Sequence, residues 1–87
     1  MINANDFIEK HEDSIAREVQ NILQCIESML EDRGGYLELD WSLDHAPVGT
    51  ISKVTKLVSQ HLSELNWVCE SSIKRNLNRV SLTIYPA

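Results

Sequence analysis

Two carboxylates, Glu38 and Asp40, lie two residues apart in a segment where polar and apolar residues alternate. In a β-strand this spacing places both on one face, where paired acids can bind a divalent cation or share general acid and base roles. Such a site needs further converging ligands, and only Asp44 and His45 are near in sequence. We therefore interpret the pair as polar residues of a solvent-exposed face, and we expect no metal and no cofactor.

The histidines and cysteines form no recognised catalytic or metal-binding motif. Neither His11 nor His61 has a second histidine four residues away, which is the usual spacing in helical zinc sites. Cys25 and Cys69 lie in apolar patterns, which favours reduced, buried thiols, with a Cys25–Cys69 disulfide as the alternative. The chain also lacks a nucleophile elbow and a phosphate-binding loop. We predict that it is not an enzyme.

Charge is unevenly distributed along the chain. Residues 1–44 carry eleven acidic and three basic side chains, whereas residues 45–87 carry two acidic and five basic ones. This asymmetry predicts either one acidic and one basic face or the ordinary solvation of a long exposed helix. No apolar run approaches the roughly 20 residues of a membrane span, and the N-terminus lacks the features of a secretory signal. We expect a cytoplasmic protein that does not enter the membrane.

The hydrophobic pattern predicts the order helix, strand, helix, strand, strand. The first helix would contain a break near Asp13-Ser14 and end at Gly34-Gly35, and Thr50 would cap the second helix. The predicted elements are a helix within residues 5–32, a strand over 36–43, a helix over 50–66, a strand over 67–71, a polar hairpin loop over 74–78 and a strand over 80–85.

These elements predict one α+β domain over residues 1–87, with an N-terminal helical segment over 1–33 and a β-α-β-β unit over 36–85. We expect a three-stranded mixed sheet with two helices packed on one face. The crossover would make the first two strands parallel, and the third strand would lie between them. The uncovered face would carry polar and aromatic side chains, namely Tyr36, Glu38, Asp40, Ser42, Ser81, Thr83 and Tyr85.

The first helix has a wide apolar stripe, formed by Ile8, Ile15, Val19, Ile22, Ile26 and Met29, with Leu23 and Leu30 beside it. Glu12 is the one charged residue that this pattern places within the stripe. Two outcomes are open. The second helix and the sheet absorb the stripe, or part of it packs on a partner helix or on a second copy, giving a homodimer through the N-terminal helix.

A resemblance to known proteins rests on three segments, Gly35-Tyr36-Leu37-Glu38-Leu39-Asp40, Leu65-Asn66-Trp67-Val68 and Val80-Ser81-Leu82-Thr83-Ile84. With the polar hairpin between the last two, this order over residues 35–85 resembles small accessory α/β proteins of tailed bacteriophages and mobile elements. The resemblance implies a phage-like origin and transfers no functional residue.

We predict a non-enzymatic protein–protein interaction module that binds and modulates a host protein. Complementary electrostatic contacts would come from the polar helix and the hairpin, and aromatic anchors from the open sheet face. The candidate partner-binding residues are Glu9, Glu12, Asp13, Tyr36, Lys74, Arg75, Arg79 and Tyr85. Three alternatives remain: a regulator that contacts nucleic acid through the basic hairpin, an acidic inhibitor that mimics nucleic acid, and a small metal-dependent hydrolase using Glu38 and Asp40. The acidic composition and the lack of aromatic residues among the hairpin bases argue against nucleic-acid binding.

Overall fold

The computed structural model describes residues 1–87 and confirms the predicted α+β class. Three helices and three strands follow one another with two short 3₁₀ turns. In chain order they are α1 (Ala4–Lys10), α2 (Glu12–Leu30), β1 (Leu37–Ser42), a 3₁₀ turn (Val48–Thr50), α3 (Ile51–Glu64), β2 (Trp67–Lys74), a 3₁₀ turn (Arg75–Leu77) and β3 (Arg79–Pro86). No helix combines the length and the apolar character that a membrane crossing requires.

The sheet has the strand order β1-β3-β2, as predicted. β3 pairs antiparallel with β1 and with β2, so the prediction of a mixed sheet is wrong. The strands β1 and β2 do run in the same direction, but they are never neighbours because the hairpin returns β3 between them. Every pair of neighbouring strands is therefore antiparallel.

The N-terminal helical segment breaks at His11, two residues before the predicted position. Asn3 caps α1 by accepting a hydrogen bond from the backbone N–H of Asn5 at 2.8 Å. The ring of Phe7 lies 4.7 Å from the ring of His11 and rests on Gly49, where an added Cβ would come within 3.3 Å of it. This contact places α1 against the 3₁₀ turn that precedes α3.

The core lies between the sheet and the two longer helices, α2 and α3. It contains fourteen buried apolar residues: Ile15, Ile22, Ile26, Leu30, Leu37, Leu43, Ala46, Ile51, Val54, Val58, Leu62, Val80, Leu82 and Ile84. The buried side of α2 differs from the predicted stripe, because Leu30 is buried while Val19 and Met29 are only partly covered. Glu12 is exposed, and the charged residue inside the stripe is Glu18.

Element ends follow the backbone conformations that their residues permit. Gly34, Gly35 and Asn66 have φ angles of +70°, +83° and +66°, so the left-handed ends predicted for both helices are present. Thr50 occupies the predicted N-cap position of α3, but its buried side chain makes no capping hydrogen bond, because its hydroxyl donates to the Pro47 carbonyl at 2.6 Å. β2 also continues to Lys74, beyond the predicted end at residue 71, and the hairpin closes through the 3₁₀ turn and left-handed Asn78.

Candidate functional site

The face of the sheet that points away from the helices is covered by no other element; we call it the outer face. Side chains alternate along a strand, so the strand register places its residues in rows across the three strands. From one end to the other, these rows are Tyr85 with Val68, Glu38 with Thr83 and Glu70, Asp40 with Ser81 and Ser72, and Ser42 with Arg79 and Lys74.

Each of the three carboxylates on the outer face accepts a hydrogen bond from a hydroxyl of the same face. Tyr36 donates to Glu38 at 2.9 Å, Tyr85 donates to Glu70, and Ser81 donates to Asp40. One oxygen of each carboxylate is thereby held in place, while the group stays exposed to solvent. The positions of the three carboxylates are thus set by contacts within the outer face itself.

A stacked tyrosine pair marks one end of the outer face. The rings of Tyr36 and Tyr85 lie 6.4 Å apart at an interplanar angle of 22°. Tyr36 is 52% exposed, so its ring is available for contact. The hydrogen bond to Glu38 raises the pKa of Tyr36, and the hydrogen bond to Glu70 raises the pKa of Tyr85. Both phenols therefore keep their protons at neutral pH and remain hydrogen-bond donors.

The opposite end of the outer face is basic, because two of the three residues in its last row are Lys74 and Arg79. Arg79 lies on the central strand, between Lys74 and Ser42. Arg79 donates to the Ser42 hydroxyl at 3.3 Å. Arg75, at the hairpin tip, turns instead toward the start of α3 and donates to the hydroxyl of Ser52 at 2.8 Å. The outer face is therefore polarised, with its acidic and aromatic side chains at one end and its basic side chains at the other.

The structure brings together only some of the residues proposed from sequence. Tyr36, Tyr85, Lys74 and Arg79 share the outer face, and Arg75 lies next to it on the hairpin. The acidic candidates lie on the helical side of the molecule: Glu9 is exposed on α1, and Glu12 and Asp13 are exposed in the first turn of α2. Glu38 and Glu70 are instead the acids next to the tyrosines, and Asp40 lies one row further along the outer face.

No three side chains among the histidines, cysteines, aspartates and glutamates are arranged to hold a metal ion. Cys25 and Cys69 are free thiols, as expected. Both are only half-buried, whereas the sequence predicted that they would be buried. The side chain of Cys25 contacts the sulfur of Met29 at 3.8 Å. Burial raises the pKa of Cys69, which keeps this thiol in its less reactive protonated form.

Sequence reasoning missed Glu18, which organises the end of β1 from the neighbouring helix. Its carboxylate is 1% exposed and accepts three hydrogen bonds. The backbone N–H groups of Asp44 and His45 donate at 2.8 and 3.1 Å, and the indole N–H of Trp41 donates at 3.2 Å. A signal was present, because Glu18 lies three residues after Ile15 and four before Ile22, in the centre of the apolar stripe.

Comparison with known proteins gives no relative for this chain. No family model matches it, and neither the curated proteins nor the solved structures contain a match. The resemblance to phage and mobile-element accessory proteins therefore stays a prediction.

Proposed function

We propose that this protein is a non-enzymatic protein–protein interaction module that binds a basic surface of its partner through the outer face of the sheet. The observation that carries the proposal is the set of hydroxyl-held carboxylates beside the stacked, exposed tyrosines. Tyrosine is enriched at protein interfaces because its ring supplies contact area while its hydroxyl satisfies a polar group. The carboxylates supply the charge that a basic partner would neutralise.

The dimensions of the outer face set the expected strength of binding. Strand spacing and residue rise give a patch of about 25 Å by 15 Å, which is roughly half of the ~800 Å² that each partner contributes to a standard interface. We therefore expect a transient complex with a dissociation constant in the micromolar range, on the order of 1–100 μM. Its association should weaken with salt, because exposed charges contribute much of the recognition.

The resemblance described above extends the proposal to the setting. If the protein belongs with phage or mobile-element accessory proteins, its partner is a host protein and it acts in the host cytoplasm. The complementary charge on the partner would then be a cluster of Lys or Arg side chains on a folded surface.

Affinity capture with matched charge reversals tests this proposal. Tagged wild-type protein and two double variants, Glu38→Lys/Glu70→Lys and Glu9→Lys/Glu12→Lys, are incubated with nuclease-treated lysate of the cells that express the gene. All four residues are exposed and each pair changes the net charge equally, but only the first pair lies on the outer face. We expect a stoichiometric partner that the outer-face variant loses and the helix variant keeps.

Two results would contradict the proposal. The first is a partner retained by Glu38→Lys/Glu70→Lys and lost by Glu9→Lys/Glu12→Lys, which would assign binding to the helical side. The second is binding that disappears with nuclease and depends on Lys74 and Arg75, which would indicate a nucleic-acid ligand at the hairpin.

A further inference from the structure

A cleft with a volume of about 630 Å³ opens between the C-terminal halves of α2 and α3, away from the outer face. Ile26, Leu30 and Leu62 form its buried floor, and Leu23 and Trp67 line it as half-buried side chains. The volume lies within the ~300–1,000 Å³ that is usual for ligand sites. Part of the apolar stripe predicted for the first helix therefore lines an open cleft.

The chain reversal that follows α2 borders this cleft. The chain leaves α2 through Gly34 and Gly35, and a Cβ added at Gly34 would meet no atom within 4 Å. The indole of Trp67 lies next to Gly35, where an added Cβ would be 3.9 Å from the ring. Leu65, just beyond the end of α3, lines the cleft and remains 58% exposed. The chain thus leaves large apolar side chains here without a covering element, and covering them would be favourable.

The electrostatics of the cleft select the charge of its occupant. Glu27 and Glu31 are exposed, line the cleft and lie one helical turn apart on α2. No Lys or Arg lines the cleft, and the only basic side chain in its lining is the exposed imidazole of His61 on α3. The last turn of α2 also lacks a basic residue, so the negative end of the helix dipole adds to the two carboxylates. A cation placed over this side of the cleft would interact favourably with the two carboxylates and with the C-terminal end of the α2 dipole.

We propose that the cleft binds a basic amphipathic helix of a protein partner. The partner helix would insert large apolar side chains between α2 and α3, and its Lys or Arg side chains would contact Glu27 and Glu31. Glu27 and Glu31 are separated by a rise of about 6 Å, which equals the rise between positions i and i+4 of the incoming helix. A second copy of α2 fits poorly, because its own Glu27 and Glu31 would bring like charges together.

The test uses an 18-residue peptide of Leu and Lys with the leucines at helical spacing. Two control peptides are a Leu/Glu version of the same pattern and a scrambled Leu/Lys sequence of identical composition. Calorimetric titration into the wild-type protein should give a micromolar dissociation constant for the patterned Leu/Lys peptide. Binding of each control peptide should be at least about tenfold weaker.

Variants of the protein locate the site. Glu27→Lys/Glu31→Lys and, separately, Leu65→Ser should each weaken binding of the patterned peptide by about tenfold. All three residues are exposed, so folding should be preserved. The matched controls Glu9→Lys/Glu12→Lys and Glu38→Lys/Glu70→Lys should stay within about twofold of wild type. The second control separates this site from the outer face, so each proposal can fail alone.

The proposal is overturned if the patterned peptide fails to bind, if the Leu/Glu peptide binds equally well, or if the outer-face variant loses binding as much as the cleft variants. Binding of dodecyltrimethylammonium without binding of any peptide would assign the cleft to a small amphipathic cation instead. A concentration-dependent dimer that Leu65→Ser dissociates would assign the cleft to a second copy of this chain.

Discussion

Replacement of Glu18 tests how one buried carboxylate holds the end of β1 against α2. Oε1 of Glu18 accepts hydrogen bonds from two backbone N–H groups, and Oε2 accepts one from the indole N–H of Trp41. Glu18→Gln keeps the shape of the side chain and one carbonyl oxygen. If that oxygen stays on the backbone N–H groups of Asp44 and His45, the new NH₂ group points at the Trp41 N–H, and two donors oppose each other.

The magnitude follows from what each variant leaves unpaired. A hydrogen bond to a charged group contributes about 1.5–3 kcal/mol, and a neutral one contributes about 1 kcal/mol. Glu18→Gln loses the hydrogen bond from the Trp41 indole and makes the two bonds from the backbone N–H groups neutral and weaker. Because the variant no longer buries a charge, part of this loss is offset, and we expect the free energy of unfolding to fall by about 2 kcal/mol. Glu18→Ala loses all three bonds and leaves a cavity, for which we expect about 3–4 kcal/mol. At this chain length, 2 kcal/mol corresponds to a fall in Tm of roughly 8–16 °C.

Urea unfolding followed by circular dichroism measures these losses, and a double-mutant cycle with Trp41→Phe isolates the indole contact. In the Trp41→Phe protein, the amide of Glu18→Gln has no donor to oppose, so the double variant should lose about 1 kcal/mol less than the sum of the single variants. A Glu18→Gln protein within about 0.5 kcal/mol of wild type, or strictly additive losses, would refute the reasoning.

Three further perturbations probe the outer face, the end of α2 and the thiols. Tyr85 has its pKa raised by donation to Glu70, so this contact stabilises the fold below about pH 10 and is lost as the pH rises through the folded-state pKa. Glu70→Gln should lower the pH at which tyrosinate absorption appears, and an unchanged titration would argue against the contact. Gly34→Ala should cost about 1 kcal/mol, since φ is +70° in open space, whereas Gly34→Asn should cost less; an Ala variant as stable as wild type would contradict this. In a Cys25→Ser protein, Cys69 should react with a disulfide reagent at least about tenfold faster in urea than when folded, and equal rates would show that burial does not protect it.

Local patterns predicted the helices, the strands and their sides well. Alternation in β1 placed Leu37 inside and Glu38 outside, and helical spacing placed Ile22 and Ile26 in the core. The strand order also followed, because a short hairpin and a crossover leave few arrangements for three strands. Some errors lie at element ends, as at Thr50, whose hydroxyl bonds to the Pro47 carbonyl instead of capping the first turn of α3. Others concern packing, because the sheet is fully antiparallel and the charged residue within the apolar stripe is Glu18 instead of Glu12.

The candidate sites could be predicted only in part. Tyr36, Tyr85, Lys74 and Arg79 were expected, and alternation was enough to assign both tyrosines to the uncovered face. The hydrogen bond between Tyr85 and Glu70 was not expected. These residues are fifteen positions apart in sequence, and their contact depends on the pairing register of β2 with β3. The acidic residues Glu9, Glu12 and Asp13 could not be placed relative to the sheet from their sequence positions.

Residue periodicity was enough to predict the α+β class, the apolar side of each element and the charged character of its solvent side. The contacts between residues that are distant in sequence became visible only in the folded chain. Glu18 reaches Trp41 across 23 residues, and the cleft forms because α2 and α3 leave uncovered apolar side chains at their C-terminal ends. Periodicity is a property of one element, whereas these contacts depend on how two elements pack and where a chain reversal, such as that at Gly34 and Gly35, redirects the backbone.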